Sequence, residues 1–86
     1  MADFDNHKQF LQDALNKRNN EVNEKRERLA KYYTIKMELW NLPELFGSER
    51  QFLQDVNTII FNFQYDIRKL EILIAELQYE INHFVE

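Results

Sequence analysis

The sequence predicts an all-α protein, an antiparallel hairpin of two long helices of the coiled-coil type. Three observations support this fold class. The 86 residues include one Gly and one Pro, which is too few for the turns of a β fold. Apolar residues follow a heptad repeat from Leu53 to Phe84 without a polar interruption. Pro43 and Gly47 lie close together near the middle of the chain, where they separate two long segments.

The heptad repeat defines the second helix. One core position holds Leu53, Ile60, Ile67, Ile74 and Ile81, and the other holds Val56, Phe63, Leu70, Leu77 and Phe84. We call these positions the inner seam. They predict a helix over about residues 48–85, roughly 57 Å long at 1.5 Å per residue.

The first helix is predicted over about residues 4–40, with Asp3 or Asp5 as its N-cap. Pro43 is expected to end it, so residues 41–47 form the connection. We expect Gly47 to allow a positive φ. A connection this short folds the helices back antiparallel, and residues 1–86 form a single domain.

The N-terminus of the second helix also carries a capping signal. Ser48 and Gln51 have the spacing of a capping box. With the turn centred near residue 44, the hairpin predicts that Arg18 lies level with Glu71 and that His7 approaches His83. The first helix is basic relative to the second, because residues 1–40 carry a net charge of +1 and residues 41–86 carry −5.

A second apolar row lies nearly opposite the inner seam. Successive residues turn by 100°, which places Phe61, Tyr65, Ile72 and Tyr79 together on the other side of the second helix. We call these four residues the outer stripe. One neighbouring helix cannot cover both faces, so we expect the hairpin to form a homodimer, as a dimeric four-helix bundle, or to bind another protein through this stripe.

The connection carries a further group of apolar residues, which includes Trp40, Leu42 and Phe46. We expect Trp40 to close the end of the core by packing on Phe52. Alternatively, Trp40 and Phe46 anchor a protein partner.

Composition bounds the functional class. There is no Cys, no apolar run long enough to cross a membrane and no signal-peptide pattern, so we expect a cytoplasmic protein without disulfides. Frequent Asn, Ile, Phe, Tyr and Lys are typical of AT-rich genomes, including those of phages.

Sites for chemistry are not predicted. The chain lacks a Gly-rich phosphate loop and the spacing of known metal motifs, and His7 and His83 alone do not fix a metal. We therefore expect no enzymatic activity, no cofactor and no metal.

A basic segment in the first helix raises the possibility of nucleic-acid binding. Its six cations are Lys17, Arg18, Lys25, Arg26, Arg28 and Lys31. Glu21, Glu24 and Glu27 alternate with them, as is typical of a solvated helix face.

The sequence therefore favours a non-enzymatic protein–protein interaction module, a small regulator, inhibitor or assembly factor. A nucleic-acid-binding hairpin and a structural coiled-coil spacer are the alternatives.

Overall fold

The computed structural model describes the backbone of residues 2–83 and the side chains of residues 6–83. Helix α1 spans Ala2–Trp40 and helix α2 spans Gly47–Asn82. They pack against each other as an antiparallel hairpin with extents of 66 × 16 × 14 Å. The all-helical hairpin predicted from the sequence is thus confirmed.

Helix α1 begins earlier than predicted. It starts at Ala2, so Asp3 and Asp5 lie inside the helix and neither is the N-cap. At the other end, the Asn41 N–H donates to the Met37 carbonyl at 3.0 Å and the Leu42 N–H donates to the Leu39 carbonyl at 3.2 Å. These bonds close α1 immediately before Pro43.

The start of α2 corrects two predictions. Phe46, with extended φ of −74° and ψ of 167°, is the N-cap, and the Glu49 carboxylate accepts a hydrogen bond from the Phe46 N–H at 3.0 Å. The helix therefore begins two residues before the position that a Ser48 cap requires, and the predicted Ser48–Gln51 capping box is wrong. Gly47 is the first helical residue and has no positive φ.

The inner seam faces α1 as predicted. All of its positions up to Ile81 are buried or half-buried, and Val56, Ile60 and Ile67 are the most deeply buried, with Val56 fully enclosed. Phe84 and the predicted helical residue Val85 lie outside the described residues. The buried side chains of α1 are Leu11, Leu15 and Val22.

Helix α1 has a seam of its own that the sequence analysis did not identify. Its buried and half-buried residues include a row with alternating spacings of four and three: Leu11, Leu15, Arg18, Val22, Lys25, Leu29 and Tyr32. This is heptad spacing. Arg18 and Lys25 interrupt the apolar character of the row, which is why the sequence pattern was weak.

Arg18 and Glu71 are not joined to each other in the hairpin. Glu71 lies 3.9 Å from Arg26, while Arg18 pairs with Glu21 of its own helix at 2.6 Å. Arg18 and Glu71, which were predicted to lie level, therefore each have a different partner. Arg26 lies about two helical turns nearer the connection than Arg18. The centre of the turn alone does not fix the alignment, because residues 41–46 form an irregular connection rather than a tight turn.

Candidate protein-binding surface

The outer stripe is exposed along the side of α2 that faces away from α1. The exposed fractions are 66% for Phe61, 58% for Tyr65, 53% for Ile72 and 63% for Tyr79. The spacing of these residues, four, seven and seven, keeps them in one row on the helix. The hairpin thus leaves an apolar row uncovered, as the sequence pattern predicts.

A charged side chain and an aromatic side chain pack against two residues of this row. The Lys69 ammonium lies 4.8 Å from the centre of the Tyr65 ring, and the His83 ring stacks on Tyr79 with centroids 4.0 Å apart. Ile72, Ala75 and Tyr79 line a shallow open hollow together with Glu76 and Glu80. The surface therefore offers aromatic rings and a small-residue depression, with carboxylates at its border.

The connection end of the hairpin forms a second exposed apolar region. Trp40 and Phe46 are each 70% exposed, and Leu42 and Phe52 are 42% and 47% exposed. We call these four residues the turn-end cluster. Because most of the Trp40 side chain is in solvent, the prediction that it closes the core is wrong.

Two exposed residues of α1 were missed by the sequence analysis. Met37 is 57% exposed and Tyr33 is 39% exposed, and they form a row with Trp40 at spacings of four and three. The Tyr33 hydroxyl accepts a hydrogen bond from the Gln64 amide on α2. The helical spacing was present in the sequence, but the same residues could equally have formed core.

Lys25 of α1 contacts residues of α2 at the seam between the helices. The Lys25 ammonium lies 3.7 Å from an Asp66 carboxylate oxygen and 5.9 Å from the centre of the Phe63 ring. Its aliphatic stem is in the α1 seam, which is a usual arrangement for an amphipathic lysine. Lys25 therefore covers apolar surface that a purely hydrophobic residue would otherwise cover.

Half of the basic segment is engaged by carboxylates. Arg18 pairs with Glu21, Lys25 with Asp66 and Arg26 with Glu71. These pairs are part-exposed and each contributes about 0–1 kcal/mol. They nevertheless place negative charge beside the cations, which opposes close approach of a phosphate backbone.

Within residues 6–83, no group of three or more His, Asp or Glu side chains is arranged to hold a metal ion. The His83 Nδ1 lies 2.8 Å from the Tyr79 carbonyl, and its ring is stacked on the same residue.

In the described part of the chain, neither helix combines the length and apolar character needed to cross a membrane.

Comparisons with known proteins do not identify a family for this chain. Scans against protein families, curated proteins and solved structures each gave no match. The candidate surface is therefore defined by the hairpin itself: the outer stripe on α2 and the turn-end cluster.

Proposed function

We propose that this chain is a non-enzymatic protein–protein interaction module that acts through helix–helix contacts. The observation that supports the proposal is the outer stripe, in which four large apolar side chains are each more than half exposed. Burying such side chains contributes up to about 1.5–3 kcal/mol each, so covering the row with a protein surface is strongly favourable.

The proposed class is a small regulator, inhibitor or assembly factor that functions as a homodimer of hairpins in the cytoplasm. A dimeric four-helix bundle provides one cover for the stripe. The turn-end cluster, with Trp40 and Phe46, supplies aromatic anchors of the kind that dominate binding energy at protein interfaces. The compositional bias is consistent with a phage-encoded inhibitor.

The test uses Tyr65→Glu, which places a charge in the middle of the outer stripe. Phe10→Glu is the matched control, because Phe10 is 68% exposed on α1 and lies outside the stripe. We expect Tyr65→Glu to reduce the solution mass or abolish partner binding, with the helix content retained. Light scattering and circular dichroism measure these two properties.

Site-specific photo-crosslinking identifies what covers the stripe. A benzophenone side chain at position 65 should crosslink to protein in cell extract, whereas the same group at position 10 should not. If position 65 captures no protein and Tyr65→Glu leaves the solution mass unchanged, the outer stripe is ordinary surface and the proposed function is wrong.

A further inference from the structure

We infer that a second copy of this chain covers the outer stripe, and that the two α2 helices pack antiparallel about a two-fold axis near Ile72. This inference rests on the proposed function and specifies the occupant of the same surface. The charges beside the stripe, and the positions of its aromatic residues relative to Ile72, support it.

The two tyrosines of the outer stripe are placed symmetrically about Ile72. Tyr65 precedes it by seven residues and Tyr79 follows it by seven. In an antiparallel pair centred on Ile72, each Tyr65 lies opposite Tyr79 of the second copy, and the two Ile72 side chains meet at the axis. Aromatic pairs of this kind contribute beyond the area that they bury.

Charged residues are also placed symmetrically about Ile72, and the two members of a symmetric pair carry opposite charges. Arg68 precedes Ile72 by four residues and Glu76 follows it by four, so each guanidinium lies opposite a carboxylate of the second copy. An isologous interface needs this self-complementarity, because each contact occurs twice.

These charged groups are available within the hairpin. Arg68 and Glu76 are exposed, and the ion pairs found among residues 6–83 join other residues. The Lys69 ammonium lies over the Tyr65 ring of its own helix. The interface would therefore form without breaking an existing ion pair.

A parallel pairing has the opposite electrostatics. It would place Arg68 beside Arg68 and Glu76 beside Glu76 of the second copy, which are like charges at close range. A foreign helix could cover the apolar row, but the self-complementary order of charges gives a second copy an advantage that an unrelated sequence does not share.

The antiparallel arrangement leaves the turn-end cluster free. The contact covers roughly residues 61–83 of each chain, which have counterparts across an axis at Ile72, and it places Phe61 opposite His83 of the second copy. The first four turns of α2 and the connection then project from opposite ends of the dimer. Each end presents Trp40 and Phe46 to a different partner molecule or to two sites on one partner.

Charge reversal tests the orientation. Arg68→Glu and Glu76→Arg should each weaken dimerisation about tenfold or more in sedimentation equilibrium, because each creates two like-charge contacts. The double variant Arg68→Glu/Glu76→Arg should return to within about threefold of the wild-type Kd. Lys17→Glu makes the same charge change at an exposed site on α1 and should leave the Kd within about threefold. A double variant as weak as the single variants would overturn the inference.

Distance measurements give an independent readout. The chain has no Cys, so Asn57→Cys carries a single spin label just outside the proposed contact. The antiparallel dimer predicts labels about 45 Å apart along the axis, at 1.5 Å per residue, whereas a parallel dimer places them about 10 Å apart. A short distance, a monomer at every concentration tested, or exclusive crosslinking of position 65 to a different protein would each overturn the inference. In the last case the proposed function would still stand.

Discussion

The two faces of α2 have similar sequences and different surroundings. Both carry large apolar residues at helical spacing, yet Ile67 on the inner seam is 7% exposed while Ile72 on the outer stripe is 53% exposed. Helix α1 covers the first face and lies on the wrong side to cover the second. Apolar periodicity therefore identifies faces that are suited to burial, and the topology decides which of them the chain can bury by itself.

The largest expected effect comes from placing the same charge on each face. Ile67→Asp should destabilise the hairpin by about 4 kcal/mol or more, since it removes buried methyl groups and buries a charge without a partner. We expect loss of a cooperative thermal transition in circular dichroism. Ile72→Asp is the matched control and should retain the helix content, with its effect confined to assembly.

The outcome of this pair is informative in either direction. Equal loss of helix content in both variants would mean that the hairpin does not fold without its dimer contact. An unchanged melting curve for Ile67→Asp would show that the inner seam is assigned to the wrong face.

A substitution outside both faces, Gly47→Ala, should raise the stability of the hairpin by a smaller amount. Gly47 is the first residue of α2, its φ is negative, and an added Cβ would meet no atom within 4 Å. Gly47→Ala should therefore stabilise the hairpin by about 0.4–1 kcal/mol, because it restricts the unfolded chain and favours the helix. Thermal unfolding should show an increase of a few degrees.

Gly47→Ala should not change the dimerisation of the hairpin. The Kd for dimerisation of Gly47→Ala should equal that of the wild-type chain, because residue 47 lies outside both faces. A lower melting temperature would indicate that Gly47 takes a conformation in solution that alanine cannot adopt.

The smallest effect is expected for nucleic acid. Because Lys25 and Arg26 face carboxylates and the chain carries a net charge of −4, labelled RNA or DNA should bind more weakly than micromolar at physiological salt. The triple variant Lys25→Ala/Arg26→Ala/Arg28→Ala should bind no differently in fluorescence anisotropy. Submicromolar binding with a steep salt dependence, lost in this variant, would move the functional surface from α2 to α1.

Much of the fold could be predicted from the sequence because α2 repeats one signal many times. Ten apolar heptad positions fix its inner face even if one position is misassigned. The α1 seam was harder to recognise, since Arg18 and Lys25 occupy core-facing positions and contribute through their stems and ion pairs. A pattern of apolar residues does not register such positions.

The ends of the helices and their alignment were less predictable. Ser48 with Gln51 and Phe46 with Glu49 are competing N-terminal signals two residues apart, and the backbone of residue 46 decides between them. The exposure of the outer stripe was predictable from its angle on the helix. The exposure of Trp40 was not, because an aromatic residue at the end of a hairpin suits both a core and a surface.

The position of Trp40 also has a spectroscopic consequence. It is the one tryptophan of the chain, and 70% of it is in contact with solvent. Its fluorescence therefore reports on the connection end alone, with the emission maximum of a hydrated indole. Contact between α2 helices about Ile72 would leave that emission unchanged, whereas docking of a protein on the turn-end cluster would shift it to shorter wavelength. The native chain thus carries an optical label that separates self-association from partner binding.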